Sequence, residues 1–317
     1  MKQLALPYLR TAKLIKLRRD ARRQCASPHP ESDRLPVRFV VGCGRSGTTI
    51  LGKVLGANPS VYYMREPYHL WHAVDPRTDV TGLHSQPEGN RFFMDAGDLE
   101  AGVLDRYDRL IARSGRAAEH CCVIEKTPHN AGKLGWIQAI EPNARVLHIV
   151  RNGLSVVRSI DRLATKPTYK LAFRPGYNQW WGERNAKWTA LSTEGPARGY
   201  FADEVGLLTD NDQRGAYEWL VSIGEIDRQR EALGERLIEI TYTQLTADPT
   251  ATCRLIADHF EIPCTSEWTD EACEMLSAER KNSGHPLRLP PAMCAQFNTY
   301  QERYGFEGRA IELDNDA

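Results

Sequence analysis

The sequence predicts an α/β fold, a central parallel sheet of about five strands with helices on both faces. Three observations predict it. Five short runs, 37–42, 61–65, 121–126, 144–151 and 237–244, are apolar and rich in β-branched residues without strict alternation. Strands covered on both faces have that composition. Helical patterns follow at 48–56, 131–140, 153–164, 216–233 and 249–260, and repeated strand, turn and helix units build parallel sheets. The first run also leads into its helix through a glycine-rich turn, VVGCGRSGTTI at 40–50. Ligands of such sheets bind beyond the carboxyl ends of the strands, so the polar residues after each run are the candidates for function.

In chain order, the first 23 residues carry Lys2, Arg10, Lys13, Lys16, Arg18, Arg19, Arg22 and Arg23 against Asp20, with Leu4, Leu6, Leu9, Leu14, Ile15 and Leu17 interspersed. Two readings fit: a basic amphipathic helix on an anionic membrane surface, or a solvated, partly disordered arm. SPHPESDRLP then breaks the chain, which gives a basic arm over 1–36, one domain over 37–310 and an acidic tail over 311–317. Two long connections, 68–120 and 165–214, are rich in aromatics, Gly and Pro. Loops this long serve as functional lids or carry small helices.

Formal net charge is zero over 317 residues, so bulk charge names no nucleic-acid partner. No apolar run approaches the ~20 residues that span a bilayer, and no apolar segment of a secretory signal follows the start. The eight cysteines form no C-x-x-C pair, so neither a zinc nor a redox site is expected. A disulfide framework is not expected either, and the reading is a reducing cytoplasm.

The glycine turn fits two phosphate-binding templates. Gly42, Gly44 and Gly47 give the dinucleotide pattern G-x-G-x-x-G, and Gly42 and Gly47 followed by Thr48 and Thr49 give Walker A spacing with threonine in place of lysine. Either would present backbone N–H groups and a helix N-terminus to an anion; a tight turn without a ligand is the plainer alternative. Glu66, after the second run, suits a ribose hydroxyl in a dinucleotide site. A dinucleotide loop works through bare backbone, however, whereas Arg45, Ser46, Thr48 and Thr49 suit a multiply coordinated oxyanion. CCVIE at 121–125 ends in an acid, as a magnesium-holding strand does. Thr48 nevertheless replaces the lysine that phosphoryl transfer needs, and the serine-hydrolase pattern would need glycine at 48.

GCGRSGTTIL at 42–51 resembles the 5′-phosphosulfate loop of sulfotransferases that use 3′-phosphoadenosine 5′-phosphosulfate (PAPS). REPYHLW at 65–71 looks like the second-strand motif of carbohydrate-type members, including bacterial ones, and EKTPHN at 125–130 like their third-strand motif. VRNGLSVVRS at 150–159 is similar to the 3′-phosphate motif, here Arg151 and Ser159, and ITYTQLTADPTATCRLIADHFEIP at 240–263 resembles the closing strand and helix. The matches keep family order from about 37 to 263. The resemblance implies a P-loop-type three-layer fold, PAPS as sulfuryl donor with adenosine 3′,5′-bisphosphate as product, and no metal.

It further implies that Gly44, Arg45, Ser46, Gly47, Thr48 and Thr49 hold the 5′-phosphosulfate, that Arg151 and Ser159 hold the 3′-phosphate, and that Lys126 lies near the transferred group. Alone, Lys126 reads as a surface lysine. Two departures stand out. The proline expected after the 3′-phosphate arginine is replaced by RNG. Pro128 occupies the place of the catalytic histidine found in the branch acting on small phenols and steroids. The second departure, together with the glutamate that serves as base in the second-strand motif, makes Glu66 the expected general base, with His129 a nearby alternative and a salt bridge to Arg65 or another arginine the structural reading of Glu66. RKNSGHPLRL at 280–289 partly resembles a loop that adds cations at the 3′-phosphate.

The implied acceptor is a hydroxyl on a glycan, glycolipid or small metabolite, approached in a pocket lined by aromatics of YNQWWGERNAKW at 177–188. His69 and His72 are read as pocket or packing residues. A dinucleotide oxidoreductase and a non-catalytic nucleotide-binding module are the competing classes, and the basic arm suggests peripheral contact with the inner membrane face.

Overall fold

A computed structural model describes residues 2–29, 34–85, 89–114, 119–166, 168–276 and 286–313. The chain begins with α1 (Lys2–Ala26). β1 (Val37–Val41), α2 (Thr48–Gly56) and β2 (Val61–Arg65) follow, then α3 (Tyr68–Val74) and α4 (Val103–Ile111) within the first long connection. β3 (Cys122–Lys126), α5 (Leu134–Ile140), β4 (Arg145–Val150) and α6 (Gly153–Thr165) continue the repeat. The second long connection holds a hairpin of β5 (Tyr177–Asn178) and β6 (Gly182–Glu183), then α7 (Ala186–Ala197). α8 (Asn211–Leu233), β7 (Leu237–Thr241), α9 (Tyr242–Ala247), α10 (Pro249–Phe260) and α11 (Ser266–Met275) come next, and β8 (Arg288–Leu289), α12 (Pro291–Arg303) and β9 (Ile311–Glu312) close the described chain.

β1, β2, β3, β4 and β7 form one parallel sheet in the order β2-β3-β1-β4-β7. Strand alternation sends Phe39, Val123 and Val146 to one face, against Tyr107, Trp136 and Ile137 of α4 and α5. It sends Val40, Ile124 and Leu147 to the other, against Leu51, Leu55, Ile256 and Phe260 of α2 and α10. Each such buried side chain contributes ~1.5–3 kcal/mol. With β1 central, the residues after β1, β2, β3 and β4 gather at one end of the sheet.

Local capping sets several boundaries. The run expected to stay extended through 244 turns helical after Thr241, because Thr241 Oγ1 accepts from Gln244 N at 3.0 Å while Gln244 Oε1 accepts from Thr241 N at 2.7 Å. The same reciprocal cap between Asp210 and Gln213 starts α8 at Asn211 rather than 216. Asn152, standing where the family's proline was expected, accepts from Ser155 N at 3.2 Å and caps α6.

The basic segment 2–26 is one helix docked on α3 and α4, with Ala21 and Cys25 buried, which departs from a solvated arm. Arg18 donates to the His84 carbonyl at 2.7 Å and Arg10 to that of Thr168 at 3.2 Å. Leu6, Tyr8, Leu9 and Ile15 face outward. Among the described residues no helix is long and apolar enough to cross a membrane. Part of the break before β1 (30–33), most of RKNSGHPLRL (280–285) and the end of the acidic tail (314–317) lie outside the described residues.

Candidate active site

The glycine turn joins β1 to α2. The Trp180 ring lies against Gly44 and the Tyr242 ring against Gly47, each where a Cβ would collide with it. Gly47 also has φ 96°, a left-handed conformation that glycine adopts without strain. Ser46 N donates to Cys43 O at 3.1 Å and closes the turn. The Ser46 side chain is buried, and its hydroxyl has no hydrogen-bond partner among the described residues. Buried hydroxyls are rarely left so, and a water or an ion is a usual partner of one that has none in the protein.

Positive charge converges here. Arg45 Nε donates to Ser159 Oγ at 2.9 Å, and Arg151 Nη1 donates to the Arg45 carbonyl at 3.3 Å. The Arg151 guanidinium lies 4.6 Å from the centre of the Tyr242 ring, and its own carbonyl is fixed by Trp219 Nε1 at 3.1 Å. Burial, then the facing Arg151, pull Arg45 below its ordinary range, with Arg162 adding to the effect and Glu66 opposing it. Arg151 and Ser159, expected as a pair, are thus linked through Arg45.

Glu66 and Lys126 come together across neighbouring strands. Arg65 of β2 is in register with Lys126 of β3, and Glu66 N, one residue on, donates to Lys126 O at 2.9 Å. Lys126 is completely buried and its Nζ donates to Glu66 Oε1. The surface reading of Lys126 is therefore wrong, and the partner of Glu66 is this lysine rather than an arginine. Burial lowers the Lys126 pKa, and the Glu66 charge works against that.

His129 sits in the turn after β3, with ring centres 5.8 Å from Tyr68 and 6.2 Å from Phe92. Burial, then Lys187, Lys133 and Lys126, hold its pKa well below the usual histidine range, so the imidazole is neutral. Glu125, the acid ending CCVIE, accepts from Trp71 Nε1 at 2.9 Å, Asn130 Nδ2 at 3.0 Å and Thr127 Oγ1. Burial pushes it up to about 7. That carboxylate is used inside the fold and is not presented to the glycine turn as a magnesium-holding acid would be. His69 and His72 lie beside His84, ring centres 6.3 and 5.8 Å away. Among the described residues no three His, Cys, Asp or Glu side chains are arranged to hold a metal.

Two cavities meet at the turn. One of about 210 Å³ is bounded by Gly47, Lys53, Arg151 and Tyr242, the other of about 320 Å³ by Glu66, Tyr68, His129, Tyr169, Tyr177 and Trp180. Arg45, Thr48 and Thr49 border both. Of the aromatic stretch, Tyr177 and Trp180 line the second cavity while Trp181 joins the core. Trp180 is held from behind: Lys187 Nζ lies 3.7 Å from its ring centre, and its Nε1 donates to Glu218 at 3.0 Å. Lys187 pairs with Glu218 at 2.8 Å.

Sequence reasoning missed Tyr242, Lys53, Tyr68, Tyr169 and the Lys187–Glu218 pair. Only Tyr242 had a usable signal, since it directly follows β7 at the carboxyl end of the sheet.

The central strand of a parallel sheet thus opens a helix through a glycine turn bordered by Arg45 and Arg151, an α/β architecture. Residues 36–205 match the model of the sulfotransferase family, and the chain belongs to that family. It is 25% identical over 248 residues to an uncharacterized protein of Aquifex aeolicus, covering 76% of this chain and 27% of that one. It is 27% identical over 154 residues to protein-tyrosine sulfotransferase 1 of Homo sapiens, covering 46% of this chain and 40% of that one. The chain thus spans well under half the length of these curated relatives. In fold it is similar to sulfotransferase STF9 from Mycobacterium avium, with a TM-score of 0.54 at 13% identity over 94% of this chain and 82% of that one. It is also similar to the sulfotransferase domain of the Synechococcus PCC 7002 olefin synthase, with a TM-score of 0.51 at 19% identity over 89% and 98%.

Proposed function

We propose that this protein transfers a sulfuryl group from PAPS to a hydroxyl acceptor. The observation that carries this reading is that Arg45, Thr48 and Thr49 border both cavities, with Glu66, held by the buried Lys126, lining one and Arg151 lining the other. The residues fit the donor: the orphan Ser46 hydroxyl needs an acceptor or donor partner, and closely placed guanidiniums favour an anion between them. Bound PAPS supplies an activated sulfuryl group and leaves as adenosine 3′,5′-bisphosphate.

The chain's residues divide the work. The turn amides, Arg45, Ser46, Thr48 and Thr49 hold the 5′-phosphate, where negative charge grows during transfer, and they are oriented beforehand. Lys126 polarises the departing side of the sulfuryl group. Glu66 takes the proton of the acceptor hydroxyl as attack proceeds. His129 is the weaker candidate, because an imidazole whose charged form is strongly disfavoured takes up a proton reluctantly. Arg151, with Ser159 beside Arg45, holds the 3′-phosphate, and Tyr242 offers an aromatic face to the base. The guanidinium and ammonium groups supply the positive charge, so the reading requires no metal.

The acceptor class is a hydroxyl of a glycan, glycolipid or small metabolite; the name of the human relative adds a tyrosyl hydroxyl. A dinucleotide site is less well supported, since Glu66 is engaged by Lys126.

Calorimetry tests the donor site. Adenosine 3′,5′-bisphosphate binds more tightly than adenosine 5′-monophosphate, and Arg151→Ala removes most of the difference, ~1.5–3 kcal/mol for a charged hydrogen bond. Arg45→Ala weakens both ligands. Equal affinities in the unsubstituted protein would show the 3′-phosphate site to be misplaced.

The outward Leu6, Tyr8, Leu9 and Ile15 of α1, beside its basic residues, support peripheral contact with an anionic membrane face. The protein then sediments with phosphatidylserine vesicles and is released by high salt, because attraction beyond ~8 Å is screened at physiological ionic strength. Unchanged sedimentation after Lys13→Glu with Lys16→Glu would remove this contact.

A further inference from the structure

We propose that the acceptor site continues beyond the 320 Å³ cleft into a larger cavity roofed by α1, and that the acceptor is an elongated amphiphile with an anionic group remote from its reacting hydroxyl. This rests on the sulfotransferase reading of the glycine turn. The larger cavity measures about 520 Å³, within the ~300–1,000 Å³ usual for ligand sites. Leu83 borders both spaces. One stacked pair also ties them together, and a second ties the cleft to α1. The Arg174 guanidinium, lining the larger cavity, lies 5.1 Å from the ring centre of Tyr177, which lines the cleft. Arg10 of α1 lies 4.5 Å from that of Tyr169, another cleft residue.

The lining dictates the ligand. Leu14, Ile15, Leu83, Leu171 and Phe173 supply apolar surface. Arg18, Arg174 and Arg184 face one carboxylate, Glu183. Arg174 neutralises that acid, its Nε donating to Glu183 Oε2 at 2.6 Å, and spends its other nitrogens on the carbonyls of Leu83 at 2.9 Å and Gly82 at 2.5 Å. The excess positive charge is then that of Arg18 and Arg184, which suits a carboxylate or phosphate at the far end of an apolar segment.

Phe173 marks the mouth. It is 85% exposed, has φ 61° and meets Tyr8 of α1 edge-on at 5.6 Å. A bulky residue held at positive φ with its ring in water is costly, and such strain collects at ligand clamps. α1 is, on this view, a wall of the acceptor site as well as a basic surface.

The test uses the full chain saturated with adenosine 3′,5′-bisphosphate and the probe 11-(dansylamino)undecanoate, followed by dansyl emission. The expected result is saturable, blue-shifted binding. Leu14→Trp, which fills the cavity, raises the probe Kd by at least ~10-fold, the scale of forcing extra volume into occupied space. Ile15→Glu, at a position 54% exposed and so harmless to folding, raises it in the same direction by placing a like charge at the rim. Arg184→Gln weakens the carboxylate probe by ~3-fold, the scale of an exposed ion pair, and leaves its methyl ester unaffected. Bisphosphate affinity is unchanged in all three. Absence of saturable binding, or binding indifferent to Leu14→Trp and Ile15→Glu, overturns this inference alone. Failure of the unsubstituted protein to bind the bisphosphate overturns the donor reading and the acceptor assignment with it.

Discussion

Glu66→Gln lowers turnover at saturating donor by ~10²–10⁴-fold, the scale of losing a positioned base, while adenosine 3′,5′-bisphosphate binds as before. Glutamine keeps the reach of the side chain, and its carbonyl can still accept from Lys126 Nζ, the group that Glu66 engages in the structure. Only the capacity to take a proton is lost. Lys126 is fully buried and loses a charged partner, so a thermal melt must accompany the kinetics to separate misfolding from lost chemistry. His129→Ala is the matched control and loses far less, because burial and then Lys187, Lys133 and Lys126 disfavour the protonated imidazole and make it a weak proton acceptor. The reverse pattern would move the base to His129. Weaker nucleotide binding with turnover preserved would instead put a ribose on Glu66 and restore the dinucleotide reading.

Lys187→Met destabilises the fold by ~3–5 kcal/mol, the scale of stranding one charge of a buried pair. Lys187 and Glu218 are 0% and 1% exposed and 2.8 Å apart. Removing the lysine leaves a carboxylate whose remaining side-chain donor among the described residues is Trp180 Nε1 at 3.0 Å. Urea unfolding measures the loss. Replacing both partners, Lys187→Met with Glu218→Leu, recovers much of it, since apolar substitutes for both charges of a buried pair are often tolerated. The consequences reach the site, because Trp180 covers Gly44 and lines the cleft. The single variant therefore also raises the KM for acceptor more than it weakens the bisphosphate. A loss below ~1 kcal/mol would mean that the pair is hydrated and that packing alone holds Trp180.

Much of the fold was legible because its signals are local. The five apolar runs became the five strands of the sheet, and 48–56 and 249–260 became α2 and α10 with the expected bounds. Two boundary errors were also local and readable: Thr241 with Gln244, and Asp210 with Gln213, are capping pairs three residues apart. The helices inside the long connections, α3, α4 and α7, were not placed. α3 has 7 residues and α7 is weakly patterned, and packing stabilises such helices more than propensity does. α4, by contrast, carries Val103, Tyr107, Leu110 and Ile111 on one buried face, a readable signal that was passed over.

What the sequence determined by itself was which residues follow each strand, and hence which could meet at the carboxyl end of the sheet. The glycine turn and Glu66 were singled out that way, whereas Lys126 and Arg151 were singled out by the resemblance to sulfotransferases. Who pairs with whom was decided by tertiary structure. Glu66 reaches Lys126 because β2 and β3 are neighbours in the order β2-β3-β1-β4-β7, and no local pattern encodes strand order. Adjacent residues of β3 point to opposite faces. Glu125 is therefore turned to Trp71, while Lys126 is turned to Glu66. Ser159 bonded to Arg45, Trp180 lying on Gly44 and α1 lying on α3 have the same origin. Each joins segments far apart in the chain, and their closeness is fixed only when the sheet has assembled and both its faces are buried.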